Sequence, residues 1–409
     1  MPDPNPLGPG DGGDDPFRGI PFFGDLARML GGPGGGFRWD AVRHLALQVA
    51  TEGRSEPNPD PLERIQLEQL VRVAELHVGA TTGLPTSTTG QPLAIEPVTR
   101  AMWVHHSADA YRPLFEALAA SIAADAAAPG APSPDDPFGA GADDPMSAML
   151  GSLMGAMAPM LLSMTAGSML GHLAMRSFGQ YDLPVPRPAG DRLMIVTANL
   201  AAFGDAWSLP RDDLRLWVCL HEVAHHAVLG VAHVRAALDA LLREYAAGFS
   251  PDPRALEDRL GSLSIDPGDP QSLISAQQAI GDPEILLGAI RSDAQRALLP
   301  RLEALVTVIV GYVDHVMDTV GEQLIASYGM LTEALRRRRV ETDPSDRFVE
   351  RLLGLELTQA AYARGEAFIS GVVKRAGPEA LERLWADERS LPTPAEVDAP
   401  GLWLARIDL

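Results

Sequence analysis

The sequence predicts a mainly α protein with a small β element, and three observations predict it. From Ser208 onward apolar residues recur at helical spacing, interrupted at Pro251, Pro253, Pro267, Pro283, Pro344 and Pro378. Asp60-Pro61 forms a helix start ahead of the apolar set Leu62, Ile65, Leu67, Leu70, Val71, Val73 and Leu76. The best strand candidate is Arg192–Leu200, RLMIVTANL, an apolar run with β-branched residues.

Taken in order, residues 1–36 read as a disordered acidic tail rich in Gly, Pro and Asp, with one short apolar patch from Ile20 to Leu30. Residues 37–126 form an N-terminal helical region: two helices between Trp39 and Leu84, a short strand at Ala101–His105, and a helix from Tyr111 to Ala126. Residues 127–145 are rich in Ala, Pro, Gly and Asp and read as a flexible insertion. Residues 146–409 are expected to form a helical domain.

Within that domain, Met146–Met175 is uncharged apart from His172 and long enough to span a bilayer. Its apolar residues are mainly Met, Ala and Leu, interspersed with Ser, Gly and Pro159, a mixture that inserts weakly. We therefore expect a buried pair of helices broken near Pro159 rather than a membrane span. The pairs Gly151/Gly155 and Gly167/Gly171 would let helices approach closely.

Composition narrows the partners. The formal charge is −21 and the pI about 4.8. Nucleic acid and anionic membranes demand a basic surface, so neither is expected. One cysteine excludes an intrachain disulfide and a Cys-rich metal cluster. The N-terminus lacks the basic start and apolar stretch of a secretory signal, so a cytoplasmic location is expected.

The chemistry concentrates in Arg215-Leu-Trp-Val-Cys-Leu-His-Glu-Val-Ala-His-His-Ala. On a helix, residues i and i+4 share one face, so His221 and His225 can direct two imidazole nitrogens at one Zn2+ ion. Glu222 beside the first ligand is placed to act as general base on metal-bound water, the H-E-x-x-H arrangement. The uncharged flanks Val218, Cys219, Val223, Ala224 and Ala227 predict a buried helix, starting after Ser208 and stopping at Gly230. Burying two histidines and a glutamate is costly unless a partner satisfies them, and zinc would.

A catalytic zinc needs a third protein ligand. His226 points about 100° round the helix from His225 and is a poor candidate; His233 lies beyond Gly230. A long helix from Arg301 to about Arg338 is the better source, through Gly311-Tyr-Val-Asp-His-Val-Met-Asp318. His315 is the candidate ligand and Asp314 the alternative. Asp318 could orient a ligand histidine, and Tyr312 could stabilise developing negative charge.

The stretches LWVCLHEVAHHAVLGVAHVR, GYVDHVMDTVG and DRFVERLLGLEL resemble the bacterial zincin-type family of zinc-dependent metalloproteases and hydrolases, some members of which are associated with deazaflavin-cofactor biosynthesis. Phe178-Gly-Gln-Tyr-Asp matches that family's step before the zinc helix. The resemblance spans roughly Gln180–Leu357 and implies a zincin-like helical domain with a buried H-E-x-x-H helix. It also implies His221 and His225 as ligands and Glu222 as base. Where many members carry Glu-Gly before the motif's aromatic residue, this chain has Val310-Gly311.

The expected function is zinc-dependent hydrolysis of an amide or peptide bond. The alternatives are a zinc-binding scaffold with little or no catalysis, and a hydrolase of small amides. Elsewhere, His105-His106 read as surface or hydrogen-bonded histidines, Cys219 as an inert buried thiol, and Arg336–Arg339 as a solvated helix end complementing the helix dipole.

Overall fold

The computed structural model of the protein describes residues 37–126, 145–249, 292–340 and 350–408. The expected tail at 1–36, residues 127–144 of the expected insertion at 127–145, and Pro251, Pro253, Pro267, Pro283 and Pro344 lie outside the described residues.

The protein is mainly α, with one two-stranded sheet among the described residues. Helices α1 (Trp39–Thr51) and α2 (Pro61–Thr82) open the chain. Pro61 occupies the first turn of α2, and Asp60 caps it by accepting from the Leu62 N–H. Strand β1 (Ala94–Val98) pairs in parallel with β2 (Arg192–Val196), Ala94 opposite Arg192 and Val98 opposite Val196. Between them run α3 (Arg100–Ala126) and α4 (Pro145–Arg176). Then follow α5 (Thr197–Ala206), α6 (Arg211–Gly230), α7 (Ala232–Ala247), α8 (Asp293–Leu324), α9 (Tyr328–Val340) and α10 (Gln359–Ala376). Two 3-10 segments and short helices α11 (Pro394–Asp398) and α12 (Pro400–Ile407) close the chain.

Four local expectations are corrected. Ala101–His105 is helical, not a strand, because Thr99 Oγ1 accepts from the Met102 N–H and starts α3 there; the strand is the preceding Ala94–Val98. Strand β2 ends at Val196, and Thr197–Leu200 begins α5. Its Asn199 is drawn inward, donating to the carbonyls of Ala174 and Ser177 while accepting from Arg100 Nε. Helix α4 runs through Pro159 as one helix. The long helix expected from Arg301 breaks after Leu324, where Ser327 donates through both N–H and hydroxyl to Asp213 in the first turn of α6.

Two glycine contacts set the helix packing. A Cβ on Gly171 would lie 2.5 Å from Val49 Cβ, and one on Gly167 2.8 Å from the Val42 carbonyl, so α1 packs directly onto the small-residue face of α4. The Gly167/Gly171 pair thus serves packing between two helices of this fold. Among the described residues no helix is long and apolar enough to cross a membrane. Gly311 on α8 meets Gly365 on α10 backbone to backbone; a Cβ there would lie 2.5 Å from Gly365 C and 2.7 Å from its Cα. Neither atom can rotate away, so Gly311→Ala should destabilise the chain by about 3 kcal/mol, at the upper end for overpacking. Gly329→Ala, which meets nothing within 4 Å, is the control. Thermal unfolding of the two variants beside wild type tests the contrast.

Candidate metal centre

Helix α6 lies inside the apolar core. Val218, Cys219, Leu220, Val223, Ala224 and Ala227 are all buried, as their uncharged side chains require. Asp212 and Asp213 occupy its first turn, where acidic groups complement the helix dipole. The helix stops at Gly230, as expected.

His221 and His225 face the same way, their ring centroids 4.3 Å apart. Trp217 stacks on His221 at 5.0 Å and Tyr181 on His225 at 5.9 Å, so both rings are held in place by aromatic neighbours. His225 Nδ1 lies 3.1 Å from the His221 carbonyl oxygen. A carbonyl only accepts, so Nδ1 carries the proton and Nε2 keeps its lone pair. Burial pushes the His221 imidazolium down to about 4, with Arg339 and Arg338 adding to the effect against Asp182 and Asp314. Burial and the neighbouring His221 hold His225 well below its ordinary range. Both rings are therefore neutral at pH 7, the form that binds metal.

A cavity of about 10 Å³, close to the lower limit for one water, is lined by His221, His225, Tyr181, Asp314, Arg339 and Tyr362 among others. It opens beside a larger cavity of about 200 Å³ that His221 also lines. Asp314 is thus the second-motif residue brought to the histidines. Its oxygens accept from both terminal nitrogens of Arg339 at 3.1 and 3.2 Å. Among the described residues no three His, Cys, Asp or Glu side chains are grouped closely enough to hold a metal ion. The donor chemistry, two neutral imidazoles and a carboxylate around a space of atomic size, nevertheless suits zinc, with Asp314 held back by Arg339.

The other second-motif candidates lie elsewhere. His315 lines neither cavity; it is partly exposed, and burial lowers its imidazole pKa against the pull of Asp318. Tyr312 packs edge-on against Trp385 at 5.1 Å, and burial pushes its phenol up to about 12. Asp318 accepts from the Tyr328 hydroxyl at 2.7 Å. On α8 one helical step of 100° turns His315 away from Asp314 and two steps turn Tyr312 away, while Asp318 shares the face of Asp314 one turn further along.

Glu222 is 1% exposed, and neither cavity is lined by it. Its carboxylate accepts from the Gln180 N–H at 2.9 Å and the Tyr181 N–H at 3.3 Å. One oxygen lies 3.5 Å from His221 Nδ1. Burial, then the Asp182 charge, pushes the carboxyl up to about 8, against the two backbone donors. The 179–181 backbone reaches it because residue 179 has no side chain: a Cβ there would lie 2.5 Å from Glu222 Oε1. Trp103 Nε1 donates to the Gly179 carbonyl at 2.6 Å, and Asp182 accepts from the Phe178 and Gly179 N–H groups.

Residues that sequence reasoning missed complete the surroundings. Tyr181 donates its N–H to Glu222, stacks on His225, and places its hydroxyl 3.1 Å from His226 Nδ1. His226 Nε2 lies 3.6 Å from Asp191. Burial would raise the Asp191 carboxyl, but hydrogen bonds from Thr89 and Thr88 outweigh it and hold it well below its usual range. The reading of Arg336–Arg339 as a solvated end holds for the exposed Arg336 and Arg337 and fails for the other two. Arg338 lies 3.7 Å over Phe178 and Arg339 4.0 Å over Tyr362, both lining the larger cavity. Their inward turn was hidden because four consecutive arginines mark no preferred face. His105 and His106 are exposed on α3, ring on ring at 5.4 Å. Cys219 is fully buried, and burial raises its thiol pKa.

Comparison with known proteins bears on the fold and the family. A crystal structure from Chloroflexus aurantiacus, described as a "putative hydrolase with a novel fold", superimposes with a TM-score of 0.57 at 24% identity, covering 91% of this chain and 99% of that one. That likeness speaks for the fold alone. A search of curated proteins finds no match. The family described as zincin-like metallopeptidase matches residues 38–404, which include α6, the 179–182 step and the α8 motif. The chain belongs to the zincin-like metallopeptidase family.

Proposed function

We propose that the chain is a zinc-dependent hydrolase cleaving an amide or peptide bond. The observation that carries this reading is the pair of imidazoles, His221 and His225, one helical turn apart with ring centroids 4.3 Å from each other, sharing one small cavity with Asp314. Zinc bound there would supply Lewis acidity toward a carbonyl and lower the pKa of bound water to about 7.

The chain's own groups have separable tasks. His221 and His225 supply imidazole nitrogens, the second oriented by its hydrogen bond to the His221 carbonyl. Asp314 is the third donor of this reading, since it lines the histidines' cavity and His315 does not. Hydrolysis adds water oxygen to the acyl carbon, breaks the C–N bond and delivers a water proton to the departing nitrogen. Glu222 carries that proton: a carboxyl pushed up to about 8 both takes and returns a proton near neutrality. To do so it must turn from the Gln180 and Tyr181 amides.

That requirement favours one rival reading. In it Glu222 only anchors the 179–181 backbone, and the chain is a zinc-binding scaffold. Elemental analysis and turnover separate the two. We expect about one zinc per chain in wild type and its loss in His221→Ala. Stoichiometric zinc without turnover on a peptide library or a panel of small amides would establish the scaffold. Turnover confined to small amides would narrow the substrate.

A further inference from the structure

The larger cavity has a composition at odds with the chain around it. The chain carries a formal charge of −21, yet three of the twelve residues lining this cavity are arginines, against two carboxylates. Arg176 faces Glu350 at 3.2 Å, Arg338 faces Asp182 at 3.5 Å, and Arg339 faces Asp314 of the adjoining smaller cavity at 3.1 Å. Arg338 also donates to the Arg176 carbonyl, which joins the two arginines across the cavity wall. The guanidinium carbons of Arg338 and Arg339 lie over the rings of Phe178 and Tyr362, 3.7 and 4.0 Å from their centroids.

Arginines stacked in this way are already ordered, so an incoming anion need not immobilise them. A guanidinium presents several N–H donors in one plane, matched to the two oxygens of a carboxylate. The remaining wall is apolar, with Trp217, Val218 and Leu357. A volume of about 200 Å³ falls below the range of drug-sized pockets and suits a group the size of one amino-acid residue. His221 forms part of the same wall, so the occupant lies beside the candidate zinc donors.

We propose that this cavity binds the carboxylate-bearing part of the substrate: the amino-acid residue on the amine side of the scissile bond, with its free carboxylate against Arg338. The substrate class is then an N-acyl amino acid or a peptide cut next to its C-terminal residue. The assignment rests on the hydrolase reading for its meaning, but binding is measured without turnover.

Calorimetry on the full, metal-free chain uses N-acetyl-L-alanine and N-acetyl-L-alaninamide, which differ only in the charged group. The acid should bind at least roughly tenfold tighter, the factor expected for a charged hydrogen-bonded pair. Arg338→Gln should erase that preference. Leu357→Trp, which fills the cavity without touching a charge, should weaken the acid by a similar factor and covers the case in which Arg338→Gln fails to fold. Equal affinity for acid and amide in wild type, or acid binding that Leu357→Trp leaves intact, overturns the proposal.

With zinc added, an N-acyl dipeptide and its C-terminal amide are compared for hydrolysis. Faster cleavage of the free acid supports the assignment, and equal rates overturn it. Preferential binding of the acid without cleavage of either compound upholds the pocket and sinks the hydrolase reading instead.

Discussion

Glu222→Gln is expected to lower turnover by about 100- to 10,000-fold, the span assigned to a positioned acid–base group, while zinc stays near its wild-type content. The two changes must separate because glutamine has the shape of glutamate but cannot take up a proton at neutral pH. The amide oxygen can still accept from one of the Gln180 and Tyr181 N–H groups. The amide nitrogen opposes the other and leaves a donor unsatisfied, at a cost of about 1–3 kcal/mol. A modest fall in melting temperature should therefore accompany the loss of activity. Elemental analysis, thermal unfolding and turnover on one preparation distinguish the outcomes. If turnover stays within about twofold of wild type, less than 1 kcal/mol of barrier, Glu222 serves only to hold the loop.

The shared face of His221 and His225 and the burial of their helix were legible in the sequence, for a geometric reason. The four-residue spacing of His221 and His225 is a property of the helix itself, and the uncharged flanks require burial. The helix start at Asp60-Pro61 and the stop at Gly230 are equally local signals.

What stayed hidden depends on partners distant in the chain. Strand β1 contains Glu96 and Pro97, which break the alternating pattern, and it is defined by pairing with a segment nearly a hundred residues away. The break before α9 depends on Asp213 capturing Ser327. Arg338 and Arg339 turn inward because Phe178 and Tyr362 offer them aromatic faces. That Asp314 rather than His315 lines the cavity of His221 and His225 follows from which side of α8 meets α6, which the periodicity of α8 alone does not carry. Tertiary contact decides each of these, and local sequence carries no trace of it.

The second large effect is expected at Gly179, which lines neither cavity. Its φ is not in the left-handed region, so backbone strain is not what requires glycine there. Space is: a Cβ would lie 2.5 and 2.7 Å from the two Glu222 oxygens. The loop cannot back away without loosening the Trp103 bond to its carbonyl, the Asp182 bonds to its amides and the Val196 N–H bond to the Phe178 carbonyl. Glu222 can yield only by giving up its bonds to the Gln180 and Tyr181 amides. Gly179→Ala should therefore destabilise the chain by about 3 kcal/mol, at the upper end for overpacking, and reduce turnover by displacing Glu222. Gly190→Ala in the same connecting segment meets nothing within 4 Å and should change stability by less than about 1 kcal/mol. The decisive measurement is a double-mutant cycle with Glu222→Ala, which removes the atoms the new methyl would strike. The double variant should unfold less readily than the sum of the single losses predicts, because the clash is counted only where both groups are present. Strict additivity would mean that residue 179 is small for some reason other than the carboxylate behind it, and the coupling between loop and metal helix would have to be abandoned.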